Sequence, residues 1–388
     1  MKKVVLGEVC DFFNGGAWSD KEYVNEGIPV LKVTNCKSTG FQLDNLNYLS
    51  EKSREKYKKN NLIIGDIIVA TVGSHPNLIE SAAGRSCIVN SQVEGFYLNQ
   101  NAVCIRTKDK RILSQKYLGY LCKCADFQHY IQSRGRGAAN QMRIAISSIK
   151  EYSFTLPDFE NQQYIADILS AYDDLIENNQ KQIKLLEEAA QRLYKEWFVD
   201  LHFPGHENTK IVDGVPERWS RGLLKELISV NYGKDHKKAP DDGNIPVYGS
   251  GGLMRKCNKS LFSGEAVLIP RKGSLNNIMY VDETFWTVDT MFYATMKQPH
   301  TAVFVYFVVK AFDMYSMNIG AAVPSMTAKI LDAMDVVIPD KETLEKFDKL
   351  TKTYFNKIKT LQGQNERLKT ARNLLLPKLM YETQKGDF

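Results

Sequence analysis

Apolar residues recur at steps of four and three between Ile165 and Trp197, which is the spacing of a helix that packs lengthwise on another helix. The strongly polar exception on this seam is Asn179. The seam consists of Ile165, Leu169, Tyr172, Ile176, Ile183, Leu186, Ala190, Leu193 and Trp197. The pattern therefore predicts one long helix that needs a helical partner.

A second seam with the same spacing lies near the C-terminus and also carries an asparagine near its middle. One antiparallel register satisfies both seams and gives these helix-pairing residues: Asn179 with Asn365, Ile176 with Leu368, and Trp197 with Phe347. A slip by one heptad would leave each asparagine facing an apolar side chain, at a cost of roughly 1–3 kcal/mol per unsatisfied group. We therefore predict an antiparallel coiled coil whose register the asparagines fix.

Pro377 lies in the last turns of the second seam. A proline inside a helix removes a backbone hydrogen bond and clashes with the preceding turn, so we expect the helix to kink or end there. Helices of about 40 residues would span on the order of 60 Å at 1.5 Å per residue. Helices of that length would hold two domains at a fixed separation.

The chain before the first seam has the pattern of a mixed α/β domain. The β-branched runs at 28–33 and 67–72 are bounded by turn residues, which predicts two strands. The apolar spacing at 115–133 predicts a helix, and a basic, glycine-rich loop follows it at 134–140. Pro157-Asp158 suits the first turn of the long helix, because proline is tolerated there and acids complement the helix dipole.

Residues 220–339 repeat this arrangement. The segment 264–274 resembles 65–74, and Pro339-Asp340 begins the second seam as Pro157-Asp158 begins the first. We predict an α+β fold in which two similar mixed α/β domains are joined by two long antiparallel coiled-coil helices, with an internal pseudo-two-fold. The predicted boundaries are 1–157 for the first domain, 158–200 for the first helix, 201–219 for a linker, 220–339 for the second domain, 340–382 for the second helix and 383–388 for a tail.

Composition narrows the function only slightly. The chain is 43% hydrophobic and 25% charged, as in ordinary globular proteins, and its formal charge of +6 permits a DNA partner without requiring one. The seven cysteines lack paired Cys-x-x-Cys spacing, which disfavours a disulfide framework and a structural zinc site. We see no signal peptide and no apolar run of membrane-spanning length, so we expect a cytoplasmic protein without a membrane partner.

Catalytic motifs do not stand out in the sequence. It contains no Asn/Asp-Pro-Pro-aromatic motif for amino-methyl transfer, no phosphate-binding Gly-x-x-x-x-Gly-Lys and no His-Glu-x-x-His. Pro339-Asp340 followed by Glu345 loosely resembles a nuclease motif, but Phe347 occupies the position where that motif needs lysine. We therefore expect no catalytic residue, no metal site and no cofactor on this chain.

Basic and small polar residues recur in loops of both predicted domains, where such side chains contact phosphates and base edges. Each of them alone also fits a solvated surface position. The candidates in the first domain are Lys32, Thr34, Asn35, Ser74, His75, Arg134, Arg136 and Arg143. Those in the second domain are Lys234, His236, Lys237, Lys238, Arg255, Lys256, Arg271, Lys272 and Ser274. Together they predict one DNA-binding surface in each domain.

The ends of both long helices resemble the specificity subunit of type I restriction–modification systems. The similar segments are Leu193-Tyr194-Lys195-Glu196-Trp197-Phe198-Val199-Asp200, Pro204-Gly205, Val215-Pro216-Glu217-Arg218-Trp219 and Leu374-Leu375-Leu376-Pro377-Lys378-Leu379. The likeness covers essentially the whole chain. It implies two target recognition domains that each read one half of a bipartite double-stranded DNA site, and helices that set the spacer between the halves.

The same resemblance implies the partners: two methyltransferase (modification) subunits, joined by restriction subunits. It assigns adenine methylation and the cofactors S-adenosylmethionine, ATP and Mg²⁺ to those partners, and makes this chain a non-catalytic subunit. Two alternatives stay open at this point. One is the specificity chain of a type II-like system with its own catalysis, and the other is a structural coiled-coil adaptor with two protein-binding domains.

Overall fold

The computed structural model describes residues 2–37, 40–43, 46–74, 82–137, 141–320 and 323–385. The chain divides into two compact units. Unit 1 comprises Met1–Asn178 and Gln364–Phe388, and unit 2 comprises Asn179–Gly363. Across the described ranges, every helix is too short or too polar to cross a membrane.

Unit 1 contains short strands that alternate with short helices before the first long helix. Its strands are β1 (Lys2–Val5), β2 (Cys10–Asn14), β3 (Tyr23–Val24), β4 (Ile28–Leu31), β5 (Cys36–Lys37), β6 (Gly40–Phe41), β7 (Asn47–Leu49), β8 (Ile67–Ala70), β9 (Val72–Gly73), β10 (Ser86–Ile88), β11 (Tyr97–Leu98), β12 (Ala102–Thr107), β13 (Met142–Arg143) and β14 (Ser153–Leu156). Its helices are α1 (Leu6–Val9), α2 (Gln115–Lys123), α3 (Ala125–Ser133) and α4 (Ile146–Lys150), followed by α5 (Phe159–Tyr194), which continues into unit 2.

The core of unit 1 is a four-stranded antiparallel sheet in the order β10-β8-β12-β2. All four residues of β8 are buried, which agrees with the uninterrupted apolar run that predicted a strand there. Helices α2 and α3 bury Tyr117, Leu121 and Phe127 against this sheet. Unit 1 has a second four-stranded sheet, with the strand order β11-β4-β7-β3.

Unit 2 continues from the end of α5 through a short π-helix at Lys195–Val199. Its strands are β15 (Ile211–Val212), β16 (Val215–Pro216), β17 (Ser220–Leu223), β18 (Ile228–Tyr232), β19 (Ile245–Gly249), β20 (Gly252–Cys257), β21 (Phe262–Pro270), β22 (Met279–Thr287), β23 (Met291–Met296) and β24 (Asp335–Ile338). Its helices are α6 (Ala302–Ala311) and α7 (Ala328–Asp332), followed by α8 (Lys341–Lys385), which ends in unit 1.

The two units repeat one strand order, which confirms the predicted duplication. The six-stranded sheet of unit 2 has the order β18-β23-β21-β22-β19-β20. Its first four strands correspond to β2-β12-β8-β10 of unit 1. In each unit the strand that comes just before this sheet in sequence pairs antiparallel with the strand that precedes the long helix, β1 with β14 and β17 with β24.

Both long helices form as predicted, and each begins at an aspartate cap. The Asn161 amide donates to Asp158 Oδ1 at 2.8 Å, and the Thr343 amide donates to Asp340 Oδ1 at 3.1 Å. These carboxylates satisfy first-turn N–H groups that have no partner within the helix. Helices α5 and α8 are 36 and 45 residues long.

The two seams share a core within each unit. In unit 1, Ile165 and Leu169 of α5 lie in the same apolar cluster as Leu375 and Met380 of α8. In unit 2, the rings of Trp197 and Phe347, which the predicted register pairs, have centroids 5.9 Å apart.

The other residues of the predicted helix pairing are buried or half-buried. Ile176 is buried and Leu368 is half-buried, both within unit 1. Asn179 and Asn365 are both buried. Their mutual contact stays a prediction.

We expected the second helix to kink or end at Pro377. The expected end is wrong, since α8 continues to Lys385. The missing N–H costs one backbone hydrogen bond, to the carbonyl of Asn373. Apolar side chains on both sides of the proline, Leu375 and Met380 among them, pack into the core of unit 1. This packing offsets the lost hydrogen bond.

Two other segments differ from expectation. The helix predicted at 115–133 is two helices, because Cys124 has an extended backbone that ends α2 and caps α3. The segment predicted as a linker, 201–219, is packed: Phe203 and Trp219 are buried in the core of unit 2. The indole N–H of Trp219 donates to Asp340 Oδ2 at 3.0 Å. A Pro- and Gly-rich composition indicated a loop but not whether that loop is buried.

Candidate nucleic-acid interface

The loop after the central strand of unit 1 is joined to the basic loop that follows α3. Strand β9 pairs with β13, so Arg143 lies opposite Val72, and Ser74 follows directly at the end of β9. The backbones of Arg136 and Arg143 donate hydrogen bonds to each other at 2.9 and 2.8 Å. Both arginine side chains are exposed. Three predicted residues from distant parts of the sequence, Ser74, Arg136 and Arg143, therefore lie on one surface of unit 1.

Arg134 lies at the base of the same loop and is oriented by an aromatic ring. Its guanidinium carbon is 3.6 Å from the centroid of the Tyr130 ring, and its Nη1 donates to the Tyr130 carbonyl at 3.3 Å. Stacking fixes the plane of the guanidinium and leaves much of its edge in solvent. Sequence reasoning missed Tyr130, although its position four residues before Arg134 on a helix was a usable signal.

The third group of unit 1, Lys32, Thr34 and Asn35, lies on the turn after β4, in the second sheet. The Asn35 side chain is used within the turn: its Oδ1 accepts from the Lys32 amide at 2.9 Å, and its Nδ2 donates to the Gln42 carbonyl at 2.9 Å. Lys32 Nζ donates to Asn47 Oδ1 at 2.8 Å. Thr34 is exposed and is the residue of this group best placed to contact a ligand.

The loop after the central strand of unit 2 occupies the equivalent place. Lys272 forms a β-bridge with Ser325, just before α7, as β9 pairs with β13 before α4 in unit 1. Lys272 and Ser274 are exposed. The Arg271 guanidinium carbon lies 5.5 Å from the Tyr232 ring centroid, and Arg271 Nη1 donates to the Asp289 carbonyl at 3.2 Å. Tyr232, an exposed ring that sequence reasoning also missed, gave no signal in the sequence.

A second basic loop of unit 2 follows Tyr232. Lys234 and Lys237 are exposed, His236 is half-buried, and the Lys237 amide donates to Asp235 Oδ1 at 3.0 Å. The Lys234 carbonyl accepts from the Trp286 indole at 3.0 Å, which fixes the start of this loop to the end of β22.

Arg255 has a structural position rather than an open one. Its Nη2 donates to the carbonyls of His236 and Ala239 at 2.5 and 2.7 Å, and its Nη1 pairs with Asp241. These bonds use most of the guanidinium's donors to close the loop around residues 236–241. Its neighbour Lys256 is exposed and carries an open charge.

Two of the predicted residues lie wholly or partly outside the residues that the structure describes. His75 lies outside the described residues, as do the last positions of the basic loop, 138–140. The backbone of Lys238 belongs to the short 3₁₀ turn His236–Lys238.

The described loops of both units form charged surfaces. The loops of both units expose cations and hydroxyls, which suit phosphate oxygens and base edges, and the loop at 234–242 also exposes three aspartates. Within the described ranges, no group of three or more His, Cys, Asp or Glu side chains could hold a metal ion. The arrangement is suited to binding a polyanion.

Comparison with known proteins gives a consistent family. The model of the type I restriction modification DNA specificity domain matches residues 1–188 and 216–370. A type I restriction enzyme MjaIX specificity subunit from Methanocaldococcus jannaschii is 26% identical over 307 residues, 69% of this chain and 68% of that protein. The HindI specificity subunit from Haemophilus influenzae is 21% identical over 456 residues, 95% of each chain.

One solved structure gives the same fold. The type I restriction–modification S subunit from M. genitalium superposes with a TM-score of 0.59 at 19% identity. The match covers 98% of this chain and 96% of that one.

Proposed function

We propose that this chain, which belongs to the type I restriction modification DNA specificity domain family, binds a bipartite double-stranded DNA target and that each unit recognises one half of it. The observation that carries the proposal is the repeated position of the basic loops. In each unit the loop after the central strand is bridged to the segment before a short helix, and the bridge carries a cation: Arg143 on the later segment in unit 1 and Lys272 on the loop itself in unit 2. Two similar binding surfaces in one chain suit a target with two parts.

Exposed arginine and lysine side chains on these loops support DNA as the ligand. Their phosphate contacts would supply affinity and register, and shorter side chains such as Thr34, Ser74 and Ser274 would contact base edges. The formal net charge of +6 agrees with a polyanionic partner.

We further propose that the long helices dock two methyltransferase subunits, and through them restriction subunits. Large apolar side chains on these helices are exposed within each unit, Leu175 and Leu374 in unit 1, Leu185 and Leu350 in unit 2. Exposed leucines on long helices suit helical partners. S-adenosylmethionine, ATP and Mg²⁺ would then bind to the partner subunits, and this chain would contribute recognition without catalysis, in the cytoplasm.

Methylation mapping tests this proposal. The chain would be expressed with its methyltransferase in a host that lacks adenine methylation at the same sites. We expect methylated adenines within a motif of two defined blocks separated by an undefined spacer, and loss of that motif when this chain is omitted. A motif that is unchanged without the chain, or the absence of any motif, would contradict a role in recognition.

A binding assay distinguishes this proposal from the alternative in which the chain carries its own catalysis. The isolated chain should not bind S-adenosylmethionine in isothermal titration, whereas the complex with the methyltransferase should. Binding by the isolated chain would instead favour a type II-like system with its own catalysis.

A further inference from the structure

We infer that the hairpin of β19 and β20 is a base-contacting element of unit 2, in which Leu253 and Met254 contact base edges in a DNA groove. This inference rests on the proposed function. Both residues are apolar, so a search for basic and small polar residues would not select them.

The hairpin presents both apolar side chains to solvent. Leu253 is 59% exposed and Met254 is 54% exposed, and both follow the turn Ser250-Gly251 after Gly252. The register of the two strands shifts between Val247 and Tyr248, and Met254 has no partner residue on the opposite strand. Such a bulge re-aims a side chain, and bulges are frequent next to functional sites.

Cationic loops lie on both sides of the hairpin. On one side, the Arg255 guanidinium binds the carbonyls of His236 and Ala239 and so holds the loop with Lys234 and Lys237 against β20. The same loop carries three acids: Asp241 pairs with Arg255, Asp235 accepts from the Lys237 amide, and Asp242 is exposed.

On the other side, the hairpin turn contacts the loop that carries Lys272 and Ser274. Asn277 Nδ2 donates to the Ser250 carbonyl at 2.9 Å. Gly273 lies so close to the turn that a Cβ there would come within 2.9 Å of Ser250 Oγ. The apolar pair is therefore placed between two cationic loops.

This charge pattern favours DNA over a protein partner. Flanking lysines would contact the phosphates on either side of a groove, and a two-stranded ribbon is an element that the major groove accommodates. Apolar side chains between the phosphate contacts would then meet base edges, where thymine offers a methyl group. Contact with base edges would remove the apolar surface of Leu253 and Met254 from water, which favours binding.

The test uses the double variant Leu253→Ala/Met254→Ala in the full chain, in complex with its methyltransferase. The duplexes are the target from methylation mapping and two versions with one half scrambled in turn. We expect the variant to lose about tenfold or more in discrimination against one scrambled half, with discrimination against the other half unchanged. Since no charge is removed, the slope of log Kd against log salt should stay that of the wild type.

A matched control is Ile211→Ala/Val212→Ala. This pair lies in another hairpin of unit 2, is 49% and 58% exposed, and should leave both discrimination ratios unchanged. Thermal unfolding of both double variants should match the wild type, because the substituted side chains are exposed.

The outcomes distinguish failure of the proposed function from failure of the hairpin inference alone. If the wild type does not distinguish the target from either scrambled duplex, the proposed function fails. If the wild type distinguishes them and the Leu253→Ala/Met254→Ala variant does so equally well, the hairpin inference alone fails. Equal weakening on all three duplexes would also overturn it, since base contacts affect only the matching half.

Discussion

The candidate DNA-binding residues fall into two groups once their contacts are known. Arg136, Arg143, Lys256 and Lys272 keep exposed charges, whereas Asn35 and Arg255 use their polar atoms to close turns. Sequence could select all of them as polar loop residues. It could not separate the groups, because the difference lies in hydrogen bonds to carbonyls at distant positions.

Arg143→Ala should weaken DNA binding to target and non-target duplexes alike, because an exposed guanidinium on this loop is placed for a phosphate. The slope of log Kd against log salt should fall in magnitude by about one. Fluorescence anisotropy over a salt series measures both quantities. Arg111→Ala serves as control, since Arg111 is a highly exposed arginine of the same unit that pairs with Asp109. An equal change in both variants would show that only net charge matters.

Arg255→Ala should destabilise unit 2 in the absence of DNA. Loss of its donors leaves the carbonyls of His236 and Ala239 without these bonds, at a cost of about 1–2 kcal/mol. Differential scanning calorimetry should show a lower Tm, whereas the neighbouring substitution Lys256→Ala should leave Tm unchanged. Equal Tm values for the two variants would contradict a structural role for Arg255.

At the scale of elements, Asp173 connects three parts of unit 1. It accepts from the Tyr120 hydroxyl at 2.7 Å and pairs with Arg372 of α8, with Lys123 3.7 Å away. Burial alone would raise the pKa of Asp173, but the cations Lys123 and Arg372 and the Tyr120 hydroxyl together lower it. Burial lowers the pKa of Lys123, and Arg372 donates a direct hydrogen bond to Asp173.

Asp173→Asn should therefore destabilise unit 1 by roughly 1–3 kcal/mol at neutral pH. A carboxylate whose folded-state pKa is lowered stabilises the fold above its unfolded-state pKa, and this contribution is lost as pH falls through the folded-state pKa. The difference in unfolding free energy between wild type and variant should thus shrink in acid, as urea titrations at several pH values would show. Asp174→Asn, at the exposed neighbouring position, should have little effect. A pH-independent difference would contradict the ionic account.

Elements were predictable where a periodic pattern persists. The two long helices, the central strands β8 and β21 and the repeat of the two units follow from heptad spacing, β-branched runs and internal similarity. The break at Cys124 and the burial of Phe203 and Trp219 did not follow, since both depend on tertiary contacts. Pro377 shows the same limit, because local propensity predicted an end that packing overrides.

For the whole molecule, we propose that two homologous units divide one recognition task. Both units carry the strand order of the same sheet and a bridged pair of segments after the central strand, but the exposed side chains differ: Arg136 and Arg143 on the later segment of unit 1, Lys272 and Ser274 on the earlier loop of unit 2. Similar surfaces with different side chains suit two halves of a target with different sequences. No rule maps these side chains to bases, since DNA shape also contributes to specificity.

Selection from randomised duplexes, with the chain bound to its methyltransferase, tests whether the two units divide recognition of the target. Three proteins would be compared: the wild type, a unit 1 variant (Arg136→Ala/Arg143→Ala) and a unit 2 variant (Lys272→Ala/Ser274→Ala). The wild type should select two sequence blocks separated by an unselected spacer, and each variant should lose information in one block, a different block for each. A single continuous block for the wild type, or loss in the same block for both variants, would contradict the division of recognition between the two units.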